Sequence, residues 1–400
     1  MSKIIQDAYI VAATRTPVAK RKGAFANVRP DDMLAHVLRS VVAAVPGLDA
    51  KEIGDVVVGC AMPEAEQGMN VARIGALLAG LPDSVPAITI NRFCSSGVNA
   101  VAMAADRIRL GESDVAIGAG TESMTILAQM MGNKVAANPA FFADNEHLSI
   151  AYGMGITAER VAERWQVTRE EQDAFAAASH RKALAAIAAG HFGAEITPYA
   201  VHEHLPDFTT GQVRVSERLF ENDEGPRASS TVEALAKLRP VFAARGSVTA
   251  GNSSQMSDGA AAVLLMSEAA VKRYNVKPLA RFVSFSVAGV PPESMGIGPI
   301  EAIPRACKAG GVTAGQMDWI ELNEAFAAQS LAVIKDLGLD PSKVNPLGGA
   351  IALGHPLGAT GAVRTATLVH AFQRDPKLKY GMVTMCIGTG MGAAGIFERV

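Results

Sequence analysis

Apolar and polar positions along the chain follow two periods. Short apolar runs of strand length at residues 8–13, 53–60, 87–91 and 114–119 are separated by segments with helical spacing at 31–45, 70–81 and 96–110. Asp31 and Asp32 open the first of these helices, where carboxylates favour the dipole. Gly80 and Pro82 stop the second. Strands alternating with helices predict a parallel sheet with helices on its faces.

The last third repeats this order. Strands are expected at 280–287, 319–322, 343–346, 381–386 and 392–398, and helices at 300–309, 325–337 and 361–372. The two regions also share texture, because a strand leads into Cys94-Ser95-Ser96-Gly97 and a helix in one, and through His355 into a helix in the other. We read an internal duplication of one α/β unit. In the second copy the last two strands form a near-immediate pair. In the first, the run at 114–119 has its candidate partner only at 260–266. The stretch between them is an insertion, with a charged helical part at 157–189 and a polar, weakly patterned part at 197–230. Insertions between strands commonly build binding surfaces. The expected organisation is a discontinuous N-terminal α/β core domain (1–123 plus 247–270), an inserted loop domain (124–246) and a C-terminal α/β core domain (271–400).

Composition narrows the function classes. At 400 residues, 49% hydrophobic and 19% charged, the chain is not disordered and is long enough for several domains. Thirty-seven basic against 39 acidic side chains give a formal net charge of -2. A general nucleic-acid or anionic-membrane surface is not expected, although a local basic patch for a phosphorylated ligand is compatible with that balance. No apolar run reaches the ~18 residues of a membrane span, and no signal-peptide pattern opens the sequence. Cys60, Cys94, Cys307 and Cys386 form neither a C-x-x-C pair nor a metal-finger spacing. The expectation is a cytoplasmic protein with no metal site.

Candidate chemistry is confined to a few places. Residues 390–395 have the spacing G-x-G-x-x-G, but only five residues follow Gly395, so no dinucleotide-binding helix can form there. No P-loop and no G-x-S-x-G elbow occurs. Cys94 lies between a strand and a helix start, where the dipole and free N–H groups favour thiolate. The alternative is an inert buried Cys beneath a Ser96 N-cap. His355 sits in a loop with five glycines in fourteen residues, 348–361, which implies unusual dihedrals or close approach to a ligand. Asn323 either caps the helix that follows or serves a site. Cys386 meets the turn Gly388-Thr389-Gly390, whose backbone N–H groups can be presented to a ligand.

Taken together, Asn91-Arg92-Phe93-Cys94-Ser95-Ser96-Gly97, Asn323-Glu324-Ala325-Phe326-Ala327, the 348–361 loop and Cys386-Ile387-Gly388-Thr389-Gly390-Met391-Gly392 resemble the thiolases, over essentially the whole chain. The resemblance implies a duplicated five-layer αβαβα core with an inserted loop domain that binds coenzyme A. It implies an acyltransferase with Cys94 as nucleophile, His355 as base and Cys386 as proton donor. Asn323 and the N–H groups of Cys94 and Gly388 would serve two oxyanion holes. Arg227, Ser254 and Met154 would contact CoA or its acyl tail. CoA and acyl-CoA enter as substrates, with no tightly bound cofactor. The assembly implied is a homodimer or homotetramer, with a hydratase–dehydrogenase of β-oxidation as candidate partner. Short-chain biosynthetic relatives carry a His-Met pair where this chain has Gly153-Met154. That difference favours a degradative 3-ketoacyl-CoA thiolase. The rivals are an acetoacetyl-CoA acetyltransferase, a non-catalytic thiolase-like scaffold, and a redox protein using Cys94 and Cys386.

Overall fold

A computed structural model describes residues 5–129, 138–143 and 148–400. Its main feature among these residues is a ten-stranded sheet. From one edge to the other, the strands run Trp319–Leu322, Tyr380–Ile387, Met391–Glu398, Ala280–Gly289, Ala8–Arg15, Ser257–Ser267, Val115–Ser123, Ile53–Gly59 and Ala87–Ile90, with the short Ala19–Lys20 pairing on Ser257–Ser267.

The duplication is visible in this order. Numbered along the chain within each half, the strands lie 3-2-4-5-1, and the fifth is antiparallel to its neighbours in both halves. The third strand of the second half is reduced to one parallel bridge, Ile320 to Val344, where the sequence predicts a strand over 343–346. The first strands of the two halves pair over Tyr9–Arg281 and Ile10–Ala280, which joins the halves into one sheet. The long-range pairing expected for 260–266 is present, with Val115 opposite Met266 and Ala119 opposite Ala262.

Buried side chains fall into three apolar layers. Helices Pro30–Ala43 and Val71–Leu78 cover the outer face of the first half. Gly298–Gly310 and Ala327–Leu337 cover the outer face of the second. Between the two halves lie Ser96–Arg109 and Leu357–Arg374, the central helices. The result is an αβαβα arrangement. Central helices must be apolar all round, and small residues let them approach closely. A methyl group added at Gly361 would stand 2.1 Å from Val98 N, and one at Gly97 would stand 2.6 Å from Ala362 N. The two helices therefore touch backbone to backbone near their N-termini, which draws the turns ahead of them together.

Among the described residues, the segment between Ser123 and Ser257 holds more regular structure than its sequence suggests. Residues 157–189 form two helices, Met154–Arg164 and Arg169–Ala188, the second opened by a Thr168/Glu171 capping box. The weakly patterned polar stretch contains a β-hairpin, Tyr199–Asp207 with Gln212–Phe220. Most of its side chains face solvent, so the apolar alternation that reveals a half-buried strand is largely missing. The helix Glu268–Tyr274 spans the division drawn between 270 and 271.

Candidate active site

Cys94 lies in a one-turn 3₁₀ segment, Phe93–Ser95, between the edge strand Ala87–Ile90 and the first central helix. Phe93 has φ = +43°, a left-handed conformation that costs a side-chain-bearing residue about 1–2 kcal/mol. Polar side chains hold the turn. Phe93 N donates to Asn91 Oδ1 (2.8 Å), Arg92 N donates to Ser96 Oγ (2.8 Å), and Ser96 Oγ donates to Phe93 O (2.7 Å). The Ser96 side chain thus braces the turn from inside rather than capping the helix N–H groups. Two backbone N–H groups, of Gly388 and of Cys94 itself, face the sulfur and lower its pKa. Burial outweighs them and pushes the thiol up to about 11. The expected thiolate-favouring effect of the helix start is therefore overridden, and Cys94 rests as a thiol.

His355 precedes the second central helix. Two of the five glycines around it, Gly348 and Gly354, take positive φ of 84° and 91°, as the glycine density implied. Its backbone N donates to Ser257 Oγ (3.1 Å) and Gln255 O (3.3 Å). Nδ1 lies 2.6 Å from Thr360 Oγ1, and Nε2 lies 3.3 Å from Asn323 Nδ2. With the Asn323 amide so oriented, Nε2 accepts from Asn323 Nδ2, and Nδ1 carries the proton and donates to Thr360. Burial, helped by the Arg364 charge, lowers the imidazole pKa to about 3, so the ring is neutral.

Asn323 follows the strand Trp319–Leu322 and donates its backbone N to Thr384 O (2.9 Å). It does not cap the next helix. That helix starts at Ala327, and the Phe326 N–H is taken by Gln329 Oε1 (2.9 Å). The Asn323 side chain is left for the site, and its buried Oδ1 has no hydrogen-bond partner among the described residues. Cys386 ends the strand Tyr380–Ile387 and is fully buried. Burial, then the neighbouring Cys94, raises its pKa well above the usual thiol range. In the turn beyond it, Thr389 and Gly390 have φ of +66° and +90°. A methyl group at Gly388 would stand 3.6 Å from Met154 Sδ and 3.8 Å from the Phe93 ring. Cys94, Cys386, Gly388 and Met154 are thus one neighbourhood.

A cleft of about 790 Å³ is lined by Arg227 and Ser254, with Lys20, Arg21, His180, Phe242 and Met256. Its Ser254–Met256 strip runs beside His355, because Met256 pairs with His355 as an isolated bridge. Arg227 is fixed twice, by its N–H to His180 Nδ1 (3.1 Å) and by its guanidinium to Gln255 Oε1 (3.2 Å). Met154 lies at Gly388 and does not line this cleft.

Several site residues escaped the sequence reading. Thr360 fixes the His355 ring. Gln255 joins Arg227 to the His355 backbone. Glu324 accepts from Ser179 Oγ (2.7 Å), Asn345 Nδ2 (2.8 Å) and Ile351 N (3.2 Å), tying the glycine loop to its strand. Glu122 is buried at the end of an apolar strand. For both carboxylates the available signal was a charge inside an apolar segment, since buried charges need partners.

Comparisons with known proteins agree over the full length. The thiolase N-terminal domain model matches residues 8–269, and the thiolase C-terminal domain model matches 276–399. A 3-ketoacyl-CoA thiolase of Bacillus subtilis (strain 168) is 49% identical over 401 residues, covering 98% of this chain and 100% of that protein. An acetyl-CoA acetyltransferase of Pseudomonas aeruginosa is 46% identical over 410 residues, covering 99% and 100%. The crystal structure of the Bacillus anthracis acetyl-CoA acetyltransferase aligns with a TM-score of 0.89 at 40% identity, covering 100% of both chains. This chain belongs to the thiolase family of acyltransferases.

Proposed function

We propose that the protein cleaves 3-ketoacyl-CoA with CoA, giving acetyl-CoA and a shortened acyl-CoA through an acyl group carried on Cys94. The observation that carries this reading is the meeting of two thiols, with Gly388 N–H on the Cys94 sulfur, together with a neutral His355 whose loop runs beside a cleft of about 790 Å³. His355 Nε2 accepts the Cys94 proton as the sulfur attacks the 3-keto carbon. The Cα–Cβ bond breaks, its electron pair passes to the acetyl-CoA enolate, and Cys386 delivers a proton to that carbon. His355 then returns its proton to the Cys386 thiolate; as the CoA thiol attacks the Cys94 thioester, its proton passes to His355 and on to the departing Cys94 sulfur, restoring all three groups. A thiol at about 11 and an imidazole at about 3 form no resting ion pair, so proton transfer accompanies attack.

The N–H groups of Cys94 and Gly388 hold one developing oxyanion, and His355 with a water on Asn323 holds the other. Each such donor supports about 100–1,000-fold in rate. Segment 124–246, inserted between core domains 1–123 plus 247–270 and 271–400, acts as the CoA-binding layer, with Arg227 and Ser254 as contacts. The reading includes a homodimer or homotetramer in a cytoplasmic setting, with a β-oxidation hydratase–dehydrogenase as partner.

Degradative use is supported by Gly153. Among the described residues nothing stands within 4 Å of where its side chain would begin, which leaves room beside Met154 for a longer acyl tail. Each buried methylene contributes about 0.8 kcal/mol, roughly fourfold in binding. Steady-state thiolysis across C4 to C16 substrates tests this, with kcat/KM expected to be higher at C8 than at C4. The second reading, an acetoacetyl-CoA acetyltransferase, is favoured by the similarity to proteins of that name. A strong preference for C4 would replace the first reading with the second.

A further inference from the structure

Glu122 ends the strand Val115–Ser123 and is 0% exposed. One of its oxygens, Oε2, accepts from Ala61 N (2.7 Å) and from Gly358 N (2.8 Å). The other, Oε1, accepts from Gln67 Nε2 (2.6 Å) and lies 4.0 Å from Cys60 Sγ. Both Oε2 contacts lead to the site. On one side, Ala61 O accepts from Asn91 Nδ2 (2.9 Å), and Asn91 Oδ1 accepts from Phe93 N, next to Cys94. On the other, Gly358 stands in the first turn of the second central helix, three residues beyond His355. A single carboxylate oxygen thus links the nucleophile's turn in the first half of the molecule to the base's loop in the second.

We propose that Glu122 is a positioning residue for the acyl transfer, holding the Cys94 turn and the His355 loop at their working separation through this oxygen. The inference rests on the roles given above to Cys94 and His355. The geometry explains why a charge is placed in an apolar layer. A carboxylate can accept from every donor around it, and its position at a helix start favours the charged form. Protonation turns one oxygen into a donor facing donors, so at least one of these bonds is lost.

The titratable groups facing Glu122 are Cys60, at the end of the strand Ile53–Gly59, and Cys94, whose thiol feels its charge. Glu64, in the loop after that strand, acts on Cys60. The second central helix presents its Gly358 N–H. Burial raises the Glu122 carboxyl to about 6, against the lowering effect of these bonds. The carboxylate clamp is therefore complete above that pH and is lost as pH falls through it. His355 titrates far lower and cannot supply an acid limb there.

The experiment is the pH profile of single-turnover acylation of Cys94, measured with acetyl-CoA on the full-length enzyme. The wild type should lose rate below a midpoint near 6. Glu122→Gln keeps an acceptor oxygen for Ala61 and Gly358 but has no charge to titrate. It should acylate about tenfold more slowly at pH 8, with the acid limb gone. Glu122→Ala should lose about 100-fold in acylation while KM for acyl-CoA stays within about threefold, as misplacement of reacting groups predicts. Gln67→Met removes one bond to the charged form and should move the midpoint upward by about one unit. A merely structural role would lower melting temperature without moving the midpoint. The proposal is overturned if Glu122→Gln keeps the wild-type acid limb, or if Gln67→Met leaves the midpoint in place. Should Glu122→Ala fail to fold, these two variants decide. Failure of the thiolase mechanism itself would look different, because wild-type Cys94 would then carry no acyl group at any pH.

Discussion

The Cys94 turn and the His355 loop occupy the same place in the two halves, between the third strand and the central helix, yet they are built differently. The Cys94 turn follows a genuine edge strand, is short, and sets the residue before the thiol at φ = +43°. The His355 loop follows a strand reduced to one bridge, and bends at Gly348 and Gly354. The first keeps Cys94 partly exposed, as a group that must meet substrate. The second buries His355 to 4% exposure, neutral and pinned through Thr360. One duplicated frame thus holds the proposed nucleophile in one copy and the proposed base in the other. In the proposed reaction, the burial that suppresses charge on both makes the pair depend on substrate to exchange its proton.

The harshest test of this asymmetry is Cys94→Ala. It should abolish acylation with a loss on the order of a millionfold in kcat, the scale for removing a covalent nucleophile. Mass spectrometry after incubation with acyl-CoA checks it, and an acyl group trapped on any other residue would break the assignment. Next, Cys386→Ala should still acylate Cys94 but lose about 100–10,000-fold in exchange of the acetyl-CoA α-hydrogen with solvent. Exchange at the wild-type rate, followed by NMR in D₂O, removes Cys386 from proton transfer.

Smaller effects sharpen the comparison. Thr360→Val leaves His355 Nδ1 unpaired in a buried loop and should lower kcat about 10–100-fold. An unchanged kcat would mean that the ring is held by Asn323 alone. Gly361→Ala puts a methyl group 2.1 Å from Val98 N and should cost about 1–3 kcal/mol in urea unfolding. Finally, alkylation of Cys94 by iodoacetamide should rise about tenfold per pH unit between about 7 and 10 without a plateau, because its thiol lies near 11. A plateau near pH 8 would show that the helix start wins over burial after all.

The sequence by itself determined the alternation of strands and helices and the duplication, and it singled out the candidates for the chemistry. Those features are local, since they follow from periodicity, turn residues and the rarity of Cys and His beside dense glycine. Even the pairing of 114–119 with 260–266 was legible, because the second copy shows what the first must complete. The hairpin at 199–220 was not, since strands exposed on both faces leave no alternation to read. Protonation states were also beyond it. The helix start after Cys94 is visible in sequence, but the burial that drives the thiol to about 11, against the Gly388 N–H and together with the Glu122 charge, comes from packing that only the fold provides. The same holds for Asn323, which could cap a helix or face a histidine until the fold put Gln329 at the cap and His355 at the amide. Tertiary structure alone decided how the halves join. The contacts responsible, Gly97 against Gly361 and Glu122 against Gly358, bring together residues separated by up to 264 positions. Desolvation and these non-local bonds exist only once the layers have closed around them.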